Sequence, residues 1–187
     1  MGKGKLSKKS TNSLCVFCGS RSGISKQYLN TTKNLGKLIA KSNIRLVYGG
    51  GSIGLMGVIA SAVLESGGDV LGIIPQHLLE KEVGILEKGK LIITKNMHQR
   101  KTRMYQESNA FLILPGGVGT LDEFFEILTW SQLGLHHKKI ILLNINSFWD
   151  PLLDLIDHQI KHGFIGQNIK ELFSVAKSPD EAIDKVK

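Results

Sequence analysis

The stretch from Leu114 to Glu126 reads LPGGVGTLDEFFE and combines a glycine loop with carboxylates. Its glycines, Gly116, Gly117 and Gly119, follow an apolar strand-like run and precede a helix-like one. The backbone N–H groups of such a loop, with the partial positive charge of a helix N-terminus, form a phosphate site. The loop is not a Walker A motif, because no Lys-Ser or Lys-Thr pair follows the last glycine. The sequence predicts phosphate binding here, with Thr120 capping the helix and adding a hydroxyl.

Two carboxylates, Asp122 and Glu123, lie almost on top of this loop. We interpret Asp122 as the negative charge that the first turn of a helix favours. Glu123 is three positions after Thr120, about one helical turn from the predicted phosphate contact. A carboxylate there suits a ribose 5-phosphate unit whose C1′ becomes oxocarbenium-like as its glycosidic bond breaks, because it would stabilise that charge or position a water molecule. We therefore expect Glu123 to be catalytic.

A basic cluster, Arg100, Lys101 and Arg103, lies at the start of the preceding helix-like segment MHQRKTRMYQES. The dipole disfavours cations in a first helical turn, and a local rule broken at a loop–helix junction indicates function. Arg100 is expected to hydrogen-bond the substrate and orient Glu123, but its guanidinium cannot readily act as an acid at neutral pH. Arg103 is expected on a solvated helical face.

A second glycine cluster, YGGGSIGLMG, follows the strand-like IRLV. Gly49, Gly51 and Gly54 satisfy G-x-G-x-x-G, which is a weak signal by itself. A dinucleotide fold also needs an acidic residue at the end of the next strand, whereas VLGII ends in Pro75, and Asp69 lies at its other end. NAD is therefore discounted. Two alternatives stay open: a smaller nucleotide, and tight strand-to-helix packing without a ligand.

Short apolar runs alternate with amphipathic helical segments along the chain. This alternation predicts an α/β fold with a single Rossmann-like domain, a parallel sheet covered by helices on both faces. The predicted strands lie near 14–18, 44–48, 70–74, 91–94, 110–114, 139–144 and 173–176, and the predicted helices near 25–41, 54–66, 97–108, 120–133, 151–162 and 179–186. We expect residues 1–11 to form a flexible basic tail and residues 12–187 to form the domain.

Composition narrows the classes of function. The net charge of +8 includes four lysines of the tail, Lys3, Lys5, Lys8 and Lys9. The remainder favours a small anionic substrate over nucleic acid, which stays an alternative. No apolar run approaches a membrane span, and no secretory signal is evident, so we expect a cytoplasmic protein without a membrane partner. Strand alternation places Cys15 and Cys18 on opposite faces, and without a second cysteine pair we expect buried structural thiols and no metal site.

The motifs CVFCGS, LVYGGGSIGLMG, GIIP, MHQRK, PGGVGTLDE, TWSQLG and GFI occur in this order. Together they closely resemble the LONELY GUY family of cytokinin-activating phosphoribohydrolases, over roughly residues 13 to 180. The resemblance implies a Rossmann-like homodimer without a metal or redox cofactor. It also implies hydrolysis of a nucleoside 5′-monophosphate, either a cytokinin riboside 5′-monophosphate or AMP, to free base and ribose 5-phosphate.

By motif, Arg100 and Glu123 match the catalytic pair of that family, and Lys101 matches a substrate-binding position. The resemblance further implies substrate or nucleotide contacts at Glu82, in the phosphate loop and at other glycine-loop positions. The segment EKEVGILEKGKLIITKN, around Glu82, departs from the plant-like pattern. The implied phosphate-loop positions are Gly116, Gly117, Val118, Gly119 and Thr120, and the further candidate nucleotide contacts are Gly19, Ser20, Gly50, Gly51 and Met97.

Three other functions are weighed against hydrolysis. The family has also carried a lysine decarboxylase label, which we reject because Lys101 lacks the context of a pyridoxal phosphate site. A non-catalytic nucleotide or molybdenum-cofactor carrier on the same fold would need the phosphate loop but not Glu123. A nucleic-acid-processing protein would show salt-sensitive DNA binding that depends on more than the lysine tail.

Overall fold

The computed structural model describes residues 12–79 and 89–187. These residues form one seven-stranded sheet in which all neighbouring strands are parallel, in the order β4-β3-β2-β1-β5-β6-β7. The strands are β1 Ser13–Phe17, β2 Arg45–Tyr48, β3 Val70–Pro75, β4 Lys90–Thr94, β5 Ala110–Ile113, β6 Lys139–Leu143 and β7 Ser174–Ala176. The predicted α/β class and parallel sheet are confirmed.

Six helices are described, of which five connect strands and the last follows β7, as the 3.6-residue apolar periodicity predicts. They are α1 Lys26–Lys41, α2 Gly54–Glu65, α3 Met97–Gln106, α4 Val118–Gln132, α5 Asp150–Lys161 and α6 Pro179–Val186. Most predicted boundaries lie within two residues of these. No described helix is both long and apolar enough to cross a membrane. Residues 1–11 and Glu82 lie outside the described residues, so the predictions made for them stay predictions.

The central strands β1, β2 and β5 are almost wholly buried because helices cover both faces of the sheet. One core cluster includes Leu14, Tyr48 and residues of α1, α2 and α6, and the other includes Cys15, Phe111 and residues of α3, α4 and α5. Cys18 lies in the first cluster and Cys15 in the second, so the predicted opposite faces are confirmed. Both thiols are free and buried.

Helix α4 begins two residues earlier than predicted, and this corrects two expectations. Its N-cap is Gly117, and no side chain caps it. Thr120 is therefore the third helical residue and not the cap. Asp122 is the fifth helical residue, beyond the first turn, so electrostatics at the helix start does not explain its charge. The two additional helical residues, Val118 and Gly119, follow the N-cap Gly117 directly. The first backbone N–H groups of the helix therefore have no side-chain acceptor.

Candidate active site

Three glycine-containing loops meet at the carboxyl edge of the sheet, and Gly19 joins them. Its N–H donates to Pro115 O at 3.1 Å, and its carbonyl accepts from Leu55 N, also at 3.1 Å. Gly54, at φ +59°, packs so closely on Ser20 that a Cβ atom there would overlap the Ser20 carbonyl. The connections from β1 and β5 run to opposite sides of the sheet, so this is the switch point at which open α/β sheets bind ligands.

The loop for which the sequence predicts phosphate binding has open backbone at the start of α4. Gly117, Val118 and Gly119 are exposed, and a Cβ atom on Gly117 or Gly119 would meet nothing within 4 Å. Thr120 is buried, and its side chain fills the place that a Cβ atom on Gly116 would need. The loop therefore presents open backbone at the N-terminus of the 15-residue α4, where N–H groups and the helix dipole favour an anion.

Arg100 and Glu123 form a buried ion pair one helical turn beyond this loop. Arg100 Nη1 lies 3.1 Å from Glu123 Oε1, and each residue is 8% exposed. Arg100 Nε also donates to the Ile73 carbonyl of β3 at 3.2 Å. The guanidinium is thus held from two sides, and it fixes the Glu123 carboxylate in one orientation.

Burial raises the pKa of Glu123 from 4.5 to about 7. The Arg100 guanidinium lowers this pKa, the Asp122 carboxylate raises it, Lys101 lowers it and Glu126 raises it, in decreasing order of effect. Desolvation therefore outweighs the paired cation. A carboxylate with a pKa near neutrality exchanges a proton readily at physiological pH, which is the property that general acid–base catalysis needs.

Gly49 contacts Arg100, whereas the sequence identified it only as part of a G-x-G-x-x-G pattern. A Cβ atom built on this residue would overlap Arg100 Nη2. The loop after β2, which is the first glycine loop along the chain, therefore provides the flat backbone surface on which the guanidinium lies. The adjacent Gly50, at φ +79°, packs against Ile73 and Ile74 of β3. Only a pattern of glycines before a helix was visible in the sequence, and it did not indicate a packed arginine.

Lys101 lies beside the pair and binds two carboxylates of α4. Its Nζ is 3.2 Å from Asp122 Oδ2 and 3.0 Å from Glu126 Oε1. Burial lowers the pKa of Lys101, but hydrogen bonds to Glu126 and Asp122 outweigh burial and raise the pKa above its usual value. Asp122 and Glu126 were not predicted as part of the site. Their i, i+4 spacing on α4 was the available signal, since it places both on one helical face.

A pocket of about 500 Å³ opens between the loops that follow β1 and β5. Five predicted contacts, Gly19, Ser20, Gly116, Gly117 and Val118, are among the residues that line it, and Tyr28 and Phe148 form an aromatic wall. Within the described part of the chain, neither Arg100 nor Glu123 contributes to this lining. The phosphate loop is thus shared by the pocket and by the helix that carries the ion pair.

The remaining predicted contacts differ in accessibility. Gly50 and Gly51 are buried, whereas Met97, the first residue of α3, is half-buried beside the basic cluster. Arg103 forms an i, i+4 ion pair with Glu107 on the exposed face of α3, so its predicted surface role is confirmed.

Thiol and metal chemistry find no support at this edge of the sheet. Burial, and secondarily the Glu123 charge, raises the pKa of the Cys15 and Cys18 thiols well above the usual range. Such thiols are poor nucleophiles because the thiolate is the reactive form. Across residues 12–79 and 89–187, no three His, Cys, Asp or Glu side chains are grouped closely enough to hold a metal ion.

Comparison with known proteins places the chain. A family model described as "possible lysine decarboxylase" matches residues 56–186. A probable cytokinin riboside 5′-monophosphate phosphoribohydrolase of Oryza sativa subsp. japonica is 43% identical over 173 residues, 92% of this chain and 71% of that protein. The chain belongs to the family of cytokinin riboside 5′-monophosphate phosphoribohydrolases. A cytokinin riboside 5′-monophosphate phosphoribohydrolase of Arabidopsis thaliana is 42% identical over 185 residues, 98% of this chain and 86% of that protein.

Solved structures agree on the fold. The molybdenum cofactor binding protein of Rippkaea orientalis superposes with a TM-score of 0.70 at 22% identity, over 93% of this chain and 94% of that one. The molybdenum cofactor carrier protein of Chlamydomonas reinhardtii also gives a TM-score of 0.70 at 22% identity, over 94% and 96%. At this level of identity the likeness establishes a shared architecture and not a shared ligand.

Proposed function

We propose that this protein hydrolyses the N-glycosidic bond of a nucleoside 5′-monophosphate, releasing the free base and ribose 5-phosphate. The observation that carries the proposal is the buried Glu123 carboxylate, paired with Arg100 one helical turn from an open phosphate loop. The names of the curated relatives agree with this chemistry.

We propose a role for each group on the basis of its position. The substrate phosphate binds the backbone N–H groups of Gly117 to Thr120 at the N-terminus of α4. Three residues of helix rise about 4.5 Å, roughly the distance across a ribose, so Glu123 lies beside C1′ of the bound sugar. Arg100 donates a hydrogen bond to Glu123 Oε1. The second carboxylate oxygen, Oε2, is then the acceptor for the water or the sugar.

The reaction breaks the bond between C1′ and the base nitrogen and forms a bond between C1′ and a water oxygen. The electron pair of the broken bond leaves with the base, and positive charge develops at C1′. Glu123 as a carboxylate stabilises that charge and accepts the proton of the attacking water. Its pKa of about 7 matches this task, because a base of usual glutamate pKa would accept the proton less readily. The departing base nitrogen takes up one proton from solvent, and Glu123 afterwards returns the proton of the attacking water to solvent, so that atoms and charge balance.

Lysine decarboxylation suits the site poorly. Pyridoxal phosphate chemistry needs a lysine that becomes a neutral amine and forms a Schiff base. Two carboxylates hold Lys101, and they stabilise its protonated form. Lys101 is therefore held as a cation and not as a nucleophile.

The test is product analysis with AMP and with isopentenyladenosine 5′-monophosphate. Wild-type protein should release free base and ribose 5-phosphate from at least one of them, and the two kcat/KM values rank the substrates. Glu123→Gln should reduce kcat by about 10³-fold, within the range of a lost general base or charge stabiliser. Glu171→Gln, which removes an exposed carboxylate far along the chain, is the matched control and should retain the wild-type rate.

Absence of base release from both nucleotides, at protein concentrations close to those of the substrate, would contradict the proposal for these substrates. Retained nucleotide binding in that case would favour the carrier alternative, which needs the phosphate loop but not Glu123.

We also propose that the protein acts as a homodimer, as the family resemblance implies, and that it is cytoplasmic, as the sequence analysis predicts. Sedimentation of the purified chain and fractionation of the source cells test these two points.

A further inference from the structure

Two consecutive cations of the basic cluster, Arg100 and Lys101, bind carboxylates of α4. Arg100 pairs with Glu123, and Lys101 pairs with Asp122 and Glu126. Lys101 is the most buried of these three side chains, with 13% of its side chain exposed against 25% for Glu126 and 56% for Asp122. Helix α3 is therefore fastened to α4 at two adjacent points, one of which is the proposed catalytic pair.

The local charge arrangement would oppose function without Lys101. Asp122 and Glu126 are four residues apart on α4, where like charges repel. Both also lie within the first three turns after the phosphate loop, so their negative charge acts against a phosphate dianion there. One ammonium between them offsets one of the two negative charges and so reduces this repulsion. This explains how an anion site tolerates two carboxylates close by.

We propose that Lys101 acts on the reaction through Asp122 and Glu126, as a positioning residue that fastens α3 to α4 and neutralises the two carboxylates beside the phosphate loop. The inference rests on the proposed function of that loop and of Glu123. It differs from the substrate contact that the family resemblance implies for Lys101. An ammonium has three donors, and carboxylates of α4 accept from it at 3.0 Å and 3.2 Å.

The cluster also controls the ionisation of Glu123. The charged groups that face this carboxyl are Arg100 and Lys101 from α3 and Asp122 and Glu126 from α4, with the neutral thiols of Cys15 and Cys18 on the β1 side. The cations lower the pKa of Glu123, and the carboxylates raise it. Loss of the Lys101 charge alone therefore raises this pKa, and loss of both carboxylates lowers it.

Three variants separate the two roles of Lys101. Lys101→Met leaves Asp122 and Glu126 uncompensated, and we expect affinity for inorganic phosphate to fall about fivefold to tenfold at low salt. The triple variant Lys101→Met, Asp122→Asn, Glu126→Gln carries neither the cation nor the repulsion, and its affinity should return to within about twofold of wild type. The double variant Asp122→Asn, Glu126→Gln should bind phosphate at least as well as wild type.

Titration of Glu123 in ligand-free protein gives a second readout that does not depend on activity. The carboxyl ¹³C resonance of Glu123, assigned by its loss in Glu123→Gln, reports the midpoint directly. We expect Lys101→Met to raise this midpoint by about half to one pH unit. The double variant should lower the midpoint by a larger amount, because the Asp122 carboxylate alone affects the pKa of Glu123 more than Lys101 does. The triple variant should therefore lie well below Lys101→Met and somewhat below wild type.

The exposed ion pair of Lys170 and Asp157 supplies matched controls, because Lys170→Met and Asp157→Asn remove the same groups from another contact. Neither should change phosphate affinity or the Glu123 midpoint. The proposal is overturned if the triple variant binds phosphate as weakly as Lys101→Met, because Lys101 would then contact the anion itself. It is also overturned if the midpoint is the same in all variants. If wild-type protein released no base but the Glu123 midpoints shifted among the variants as predicted, the result would count against the proposed function alone.

Discussion

Replacement of Glu123 by Gln should make the protein more stable at alkaline pH while it abolishes catalysis. The reason is that Glu123 is a buried carboxyl whose ionisation is opposed by its surroundings. Gln has nearly the same shape, and its amide oxygen can still accept from Arg100. The variant therefore removes the ionisation and retains most of the packing.

The magnitude follows from proton linkage. The pKa of Glu123 is 4.5 for an ordinary glutamate, as in the unfolded chain, and about 7 in the folded protein. The folded state therefore binds this proton more tightly than the unfolded state does. The associated stability is fully present below about pH 4.5 and is lost as the pH rises through 7. At about 1.4 kcal/mol per pH unit, the difference amounts to about 3 kcal/mol in full, of which about 2 kcal/mol or more falls between pH 5 and pH 8.

The assay is urea unfolding of wild type and Glu123→Gln at pH 5 and at pH 8, at constant ionic strength. At pH 5 the wild-type carboxyl is protonated, and the two proteins should have free energies of unfolding within about 1 kcal/mol of each other. At pH 8 the variant should be more stable than wild type by about 2–3 kcal/mol. The exposed Glu171→Gln again controls for removal of a carboxylate as such.

One result would refute the reasoning. If Glu123→Gln were less stable than wild type at pH 8 but not at pH 5, the ion pair with Arg100 would outweigh burial, and the carboxyl would have a pKa below its ordinary value. Glu123 would then be permanently ionised and would lack the basicity that the proposed mechanism gives it.

Four further predictions concern the loops and the pair. Gly49→Ala should lower kcat by about tenfold or more with the fold intact by circular dichroism, because the added Cβ displaces the Arg100 guanidinium. Gly116→Ala should lower the Tm by several degrees, since its Cβ overlaps the buried Thr120 side chain, whereas Gly117→Ala has free space and should leave the Tm within about a degree. Arg100→Lys should lower kcat by at least about tenfold, because an ammonium cannot contact both Glu123 and the Ile73 carbonyl as a planar fork does. Inorganic phosphate should inhibit competitively and raise the Tm in proportion to its occupancy; non-competitive inhibition would place the anion elsewhere than the loop of α4.

The parallel sheet was predictable because its signal is local and repeated. Runs such as LCVFC and AFLIL are apolar throughout, and each is followed by a helical segment, which only a sheet covered on both faces accommodates. Arg100 and Glu123 were predictable for a different reason. Arg100 goes against the preference of a first helical turn for negative charge, whereas Glu123 lies about one turn after the predicted phosphate contact, and both belong to a motif of high specificity.

The contacts between those residues were less accessible to prediction, because they depend on how two helices pack. The sequence separates Lys101 from Glu126 by 25 positions, and nothing local shows that α3 and α4 bring them within 3.0 Å. The start of α4 was missed for a related reason. Gly117 and Gly119 have low helix propensity, but the fold places them in a helical first turn where open N–H groups are useful for binding.

The same contacts explain why negative charge lies beside an anion site. A carboxylate that stabilises a developing cation must be near the sugar, and the phosphate of the same substrate fixes the sugar at the N-terminus of α4. Negative charge and anion site are therefore forced into proximity by the length of a ribose. The fold meets this constraint by burying Glu123 so that its charge is reduced at neutral pH, and by matching the two more exposed carboxylates with Lys101. A buried ion pair is an inefficient source of stability, so its presence under the first glycine loop is better explained by the chemistry at C1′ than by the needs of the core.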